Sequence, residues 1–131
     1  MQIRKIQIED NEQIASVIRQ VFIADEYPKT GTAFADAQLD FMYETYASTR
    51  TVYFVIEENG KILGGAGINL LDGADATICE LQKMYFLQEA RGKGFGLQLI
   101  QKCLKKAKEM GYEKCYLETL PQMVIAQKLY K

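Results

Sequence analysis

The chain has 131 residues, 48% of them apolar, with 16 Lys and Arg against 17 Asp and Glu and no histidine. This is ordinary globular composition for one domain, residues 1–131, long enough to bury a core, and a net charge of -1 gives no overall drive towards nucleic acid or an anionic membrane. Without an imidazole there is no Ser-His-Asp triad, no Cys-His pair and no histidine metal ligand, so any catalysis falls to Asp, Glu, Tyr, Lys, Cys or backbone groups.

The elements alternate along the chain. Ile3, Ile6 and Ile8 mark a short first strand. Asp10 or Asn11 can cap a helix whose apolar positions Ile14, Val17, Ile18, Val21 and Phe22 keep the 3.6-residue period. Pro28 and Gly31 break the chain, and a second helix is expected over residues 36–46, with Leu39, Met42, Tyr43 and Tyr46 on one side. Residues 51–56 are β-branched and aromatic, and Asn59-Gly60 is a hairpin signal leading into a strand with glycines at 64, 65 and 67. Three glycines in one strand point to a bulge or a close backbone approach. After the Asp72-Gly73 turn a strand is expected over Ile78–Phe86, then a glycine-rich turn and a long helix over residues 96–110. Gly111 closes that helix, Cys115, Tyr116 and Leu117 form a strand, and Pro121 opens a last helix through Leu129 and Tyr130. The order β-α-α-β-β-β-α-β-α predicts an α/β domain, a central mixed sheet flanked by helices.

No apolar run approaches the roughly 20 residues that span a bilayer, and the polar start is no secretory signal, so the expected location is cytoplasmic. Cys79, Cys103 and Cys115 lack the spacing of a disulfide framework or a metal site and read as buried apolar residues, with no metal implied. Charge is uneven: residues 1–90 hold 7 Lys and Arg against 14 Asp and Glu, whereas residues 91–114 hold 7 against 2. The basic stretch is either a solvated helix face or a local landing site for a polyanion.

The chemical signal lies between the 78–86 strand and the helix after it. Glycines at 92, 94 and 96 can aim consecutive N–H groups one way, and a helix start adds unpaired donors and partial positive charge. Arg91 and Lys93 would add full charges at the rim, a combination suited to pyrophosphate. A dinucleotide-binding G-x-G-x-x-G fails because Leu97 or Leu99 stands where its last glycine belongs, and a P-loop fails at Leu87 and Gly94.

Arg91, Gly94 and Gly96 instead form Arg-x-x-Gly-x-Gly, which resembles the acyl-CoA pyrophosphate loop of the GNAT-type N-acyltransferase superfamily. Residues 80–86 before the loop, the amphipathic helix after it, and Met123, Ala126, Leu129 and Tyr130 near the end extend the resemblance over nearly the whole chain. Family members continue past that tyrosine with Gly-Phe and further strands, whereas this chain stops at Lys131. Missing residues, and with them the last strands of the sheet, are therefore expected.

The resemblance implies acetyl transfer from acetyl-CoA to a primary amine, in a small molecule or an amino-acid-like acceptor. The main chain of residues 91–97 (Arg91, Gly92, Lys93, Gly94, Phe95, Gly96, Leu97) would hold the pyrophosphate, and main-chain groups of Met84, Tyr85 and Phe86 the pantetheine arm, in a slot where the 78–86 strand splays from the next. By two-residue alternation, Glu80, Gln82, Met84 and Phe86 are expected on one strand face. Tyr130 would protonate the departing thiolate, and Glu80 would take the ammonium proton, unless it simply pairs with Lys83 or Lys61; Glu118 and Asp72 are weaker alternatives. The acceptor pocket is expected near Asp25, Glu26, Tyr27, Tyr43 and Tyr46. A homodimer is compatible with this reading. Acetylation of a protein amine, an acyl-CoA-binding regulatory module without transfer, and a nucleic-acid binder using the basic helix are the rival readings.

Overall fold

The computed structural model describes residues 2–24, 37–71 and 76–117. Among these residues five strands form one sheet in chain order: β1 (Gln2–Lys5), β2 (Val52–Glu58), β3 (Lys61–Leu70), β4 (Ile78–Phe86) and β5 (Lys114–Leu117). The first four pair antiparallel and β5 joins β4 in parallel, so the sheet is mixed, as expected. A parallel partner needs a crossover, which α3 (Phe95–Glu109) supplies.

The sheet buries both faces. Against one lies α3, whose Leu99, Ile100, Cys103 and Ala107 meet Val52, Phe54, Ile56, Ala66, Ile68, Cys79 and Leu81. Against the other lies α1 (Asn11–Ala24), whose Ile14, Val17, Ile18 and Val21 form a second core with Leu39, Met42, Tyr46, Tyr53 and Val55. Each fully buried aliphatic side chain in these cores contributes about 1.5–3 kcal/mol. All three cysteines are buried as expected, and burial pushes the Cys103 thiol up to about 12, far from a thiolate at neutral pH.

The N-terminal region departs from the sequence expectation. β1 stops at Lys5, and Ile8 lies 54% exposed in a 3-10 turn, Ile8–Asp10, that runs straight into α1. Asp10 is not a cap of α1. Its carboxylate accepts the Gln7 N–H and both ends of the Arg4 guanidinium at 2.7 and 3.0 Å, while Arg4 also donates to Glu57. Burial acts to raise the Asp10 carboxyl, but the bonds from Arg4 and Gln7 outweigh it and the net shift is downward. A depressed folded value stabilises the protein above the ordinary carboxylate range, and the contribution disappears as pH falls through the folded value. Asp10→Asn should therefore cost about 2 kcal/mol near neutrality and almost nothing near about pH 2, measured by urea unfolding at each pH.

The second helix is shorter than expected. Ala37–Phe41 is 3-10 and Met42–Thr45 (α2) is a single α turn, broken at Phe41 with φ -130° and ψ 42°. Asn11 sets the break from outside: its Oδ1 accepts the Tyr43 N–H at 2.7 Å and its Nδ2 donates to Glu44 at 2.7 Å. Leu39, Met42 and Tyr46 are buried as expected, while Tyr43 is exposed.

The Asn59-Gly60 hairpin forms, with both residues at positive φ. The glycines of β3 fulfil both of their expectations. The register slips by one between Ile56 and Glu57, a bulge on the β3 side, and the Tyr53 ring lies across Gly65 and Gly67 so tightly that an added Cβ would stand 2.5 Å from it.

Candidate functional site

β4 carries the feature that organises the site. Gly65 pairs with Tyr85 and Gly67 with Gln82, so β4 spends three residues where β3 spends two. The extra residue belongs to a bulge containing Lys83, which has φ +50°, rare for a non-glycine residue. The Tyr53 hydroxyl crosses β3 from β2 and donates to the Lys83 carbonyl at 2.7 Å. Tyr53 is 1% exposed, and burial holds its hydroxyl protonated, well above the ordinary tyrosine range.

The bulge corrects the expected face assignment. Simple alternation would put Glu80, Gln82, Met84 and Phe86 together. Instead Met84 and Phe86 join Cys79 and Leu81 in the core under α3, while Tyr85 packs on the α1 side. Glu80 and Gln82 keep to the α1 side, where Tyr46 reaches them. The Tyr46 hydroxyl donates to Gln82 Oε1 at 2.7 Å, and Gln82 Nε2 donates to Glu80 Oε1 at 2.7 Å. Glu80 thus has a glutamine as its partner, and Lys61, one of the alternatives, pairs with Glu89 at 3.1 Å. The Lys83 ammonium stands 5.9 Å over the Tyr46 ring. Glu80 is paired in register with Asn69 on β3 and with Tyr116 on β5, a ring 39% exposed.

β4 also extends past the described part of β5. Their pairing is described as far as Leu81↔Leu117, and residues 82–86 have no strand partner on that side among the described residues. Met84, Tyr85 and Phe86 lie in this stretch, and the Phe86 carbonyl accepts a bond from Arg91 Nε at 3.1 Å. Arg91 is thereby turned back over the strand end rather than held only at the rim.

After the 3-10 turn Gln88–Ala90, residues 91–94 form an exposed turn and α3 starts at Phe95, one residue before its expected start. Gly92 and Gly94 have φ of +75° and +81°, conformations that side chains rarely adopt, and a Cβ at either would meet nothing within 4 Å. The first α3 amide to reach a backbone carbonyl is that of Gln98, bonded to Gly94 at 3.1 Å. Among the described residues no backbone carbonyl receives the N–H groups of residues 92–97. Gly92, Lys93, Gly94, Phe95, Gly96 and Leu97 therefore present consecutive donors, with the positive end of the α3 dipole behind them. Leu97 is 42% exposed, and the Phe86 ring lies under Gly96. The arrangement can hold an anion with two or more oxygens in open solvent-facing space.

The lysines of α3 stand apart from this loop. Lys102, Lys105 and Lys106 line a groove of about 300 Å³ with Lys5, Ile3 and Phe54, and no residue of 91–97 takes part. Among the described residues no cluster of His, Cys, Asp and Glu could hold a metal ion, and no helix is long and apolar enough to cross a membrane. Tyr130, Glu118, Asp72 and the residues Asp25, Glu26 and Tyr27 lie outside the described residues.

Sequence reasoning missed Tyr53 and the hydrogen-bonded link that runs from Tyr46 through Gln82 to Glu80. A signal for the bulge was present: the apolar positions Cys79, Leu81, Met84 and Phe86 contain one step of three. The paired glycines 65 and 67 marked the place where a neighbour's ring could lie across the strand.

A profile of the Acetyltransferase (GNAT) family matches residues 12–131. The chain is similar to an uncharacterized N-acetyltransferase of Escherichia coli (strain K12), YjgM, 44% identical over 131 residues covering 98% of this chain and 77% of that protein. Among solved structures, an acetyltransferase of the GNAT family from Staphylococcus aureus Mu50 superposes with a TM-score of 0.81 at 21% identity, covering 98% of this chain and 79% of that one. A predicted acetyltransferase from Clostridium acetobutylicum, solved with acetyl-CoA, gives 0.77 at 23% identity, covering 97% and 86%. At these identities the two structures show likeness of fold.

Proposed function

Since the chain belongs to the acetyltransferase (GNAT) family, we propose that it transfers an acetyl group from acetyl-CoA to a primary amine of a small or amino-acid-like molecule. The observation that carries this reading is the row of N–H groups at residues 92–97, which no backbone carbonyl of the described residues receives, set on an exposed glycine turn at the start of α3. Such a row fits the diphosphate of the coenzyme, and the solved Clostridium neighbour was crystallised with acetyl-CoA.

The remaining parts follow β4. Main-chain groups of Met84, Tyr85 and Phe86 would guide the pantetheine arm along the stretch that runs beyond the described pairing with β5. The acceptor arrives as an ammonium and has no lone pair until it loses a proton. Glu80 takes that proton, alone or through a water. The nitrogen then bonds to the thioester carbonyl carbon, the carbon–sulfur bond breaks, and sulfur leaves with the electron pair. Tyr130 gives the thiolate a proton, and the proton shed by nitrogen as the amide forms restores the phenol. A phenol near its ordinary pKa of about 10 is protonated at neutral pH and can serve in this way. The Tyr130 role rests on its place in the family motif.

Calorimetric titration with acetyl-CoA, run beside thiol release over a panel of primary amines, tests the reading. Binding together with amine-dependent thiol release supports transfer. Tight binding with no thiol released for any amine favours the regulatory module. Tyr130→Phe should lower kcat by about 100-fold with the KM for acetyl-CoA within about twofold, because a general acid acts mainly in the transition state. An unchanged kcat removes Tyr130 from the mechanism.

A further inference from the structure

Glu80, Gln82 and Tyr46 form a connected set on the α1 side of the sheet, and its polarity runs one way. The Tyr46 hydroxyl donates to Gln82 Oε1, and that bond fixes the amide so that its NH₂ faces Glu80, which it reaches at 2.7 Å. Tyr46 is itself packed in the core: it is 4% exposed, and its ring lies 5.2 Å from that of Tyr53. Tyr53 in turn holds the bulge carbonyl of Lys83. The position of one carboxylate oxygen of Glu80 is therefore referred, through two hydrogen bonds and a ring contact, to the same tyrosine that pins β4.

The other carboxylate oxygen is left over. Among the described residues none bonds to Oε2 of Glu80, although the side chain is half-buried. Its in-register neighbours are Asn69 on one side and the partly exposed ring of Tyr116 on the other. The carboxylate oxygen and the aromatic face both attract positive charge, whereas Asn69 Oδ1 already accepts the Leu70 N–H at 2.7 Å, so Oε2 is the oxygen that suits an ammonium. We propose that Gln82 and Tyr46 are positioning residues that hold Glu80 Oε1 so that Oε2 faces the acceptor's ammonium. The inference rests on the acyl-transfer reading and deepens it, naming two residues outside the reacting atoms.

An isosteric substitution separates positioning from packing. Gln82→Glu keeps the shape and still accepts from Tyr46, but it replaces the donor facing Glu80 with a second carboxylate. Gln82→Leu and Tyr46→Phe remove the connection in other ways. The assay is thiol release from acetyl-CoA with four probe amines, spermidine, tyramine, L-alaninamide and a peptide with a free N-terminus, beside thermal melting and the KM for acetyl-CoA. The expected result is that Gln82→Glu loses at least about 30-fold in kcat/KM for the amine while melting and the KM for acetyl-CoA hold. Tyr46→Phe should lose less, since Gln82 can still reach Glu80 without being fixed. Gln82→Glu activity within twofold of wild type overturns the positioning role while leaving transfer standing. A wild-type protein that binds acetyl-CoA but releases no thiol with any of the four amines contradicts the transfer reading, and the inference falls with it.

Discussion

Gly94→Glu is expected to weaken acetyl-CoA binding by at least about 100-fold while the protein stays folded. Gly94 has φ +81°, so any side chain there carries a backbone strain of about 1–2 kcal/mol. No clash is added, because a Cβ meets nothing within 4 Å. A carboxylate at the start of α3 is also favoured by the helix dipole, which offsets part of the strain. The same carboxylate occupies the mouth that the diphosphate needs and repels its charge. A loss of about 100-fold corresponds to about 2.7 kcal/mol, within reach of displacing charge-assisted bonds. Gly111→Ala is the matching control, since Gly111 ends α3 at φ +93° with equally open space around its Cβ. It should carry similar strain and leave coenzyme affinity unchanged. Calorimetry of both variants with acetyl-CoA, beside their melting curves, separates loss of the site from loss of the fold.

Gly65→Val should be among the most damaging single changes in the sheet. A Cβ at Gly65 would lie 2.5 Å from the Tyr53 ring and 2.6 Å from the Phe54 carbonyl oxygen, and a backbone oxygen in a central strand has little room to move. The expected cost is about 3 kcal/mol or more, read as a shift in the urea midpoint. The functional effect goes through Tyr53, which would have to leave the Lys83 carbonyl. Tyr53→Phe isolates that step. It keeps the ring over Gly65 and Gly67 but leaves a buried carbonyl unpaired, at a cost of about 1–2 kcal/mol. If the hydroxyl holds the bulge for the coenzyme, Tyr53→Phe raises the KM for acetyl-CoA more than an equally destabilising change elsewhere in the α1 core, such as Ile18→Val. Equal effects on KM would make Tyr53 a packing residue only.

The parts of the fold that the sequence made legible share a local cause. β4 lies at its expected bounds, Ile78–Phe86, and α3 is displaced by one residue at each end. In both, a strong period is bounded by glycine or a turn, and tertiary contacts reinforce the local preference. The hairpin at Asn59-Gly60 is legible because its two residues tolerate positive φ. What was not legible depends on partners distant in the chain. α2 is cut short because Asn11, 32 residues earlier, takes the Tyr43 amide. Asp10 turns from helix cap to ion-pair partner because β1 brings Arg4 beside it. The open turn before α3 could be read from three glycines and a helix start. The relay of Tyr46 and Gln82 to Glu80 could not, because Tyr46 lies 36 residues before Gln82 and only the packed fold brings them together.

The account depends on the amides of residues 92–97 being the groups that grip the diphosphate. Backbone amide NMR with coenzyme A measures this directly. Saturating ligand should shift the N–H signals of Gly92, Gly94, Phe95 and Gly96 strongly downfield, and S-acetylpantetheine, which lacks the diphosphate, should leave them in place. Binding of coenzyme A that moves other amides while those of residues 92–97 stay unchanged would contradict it.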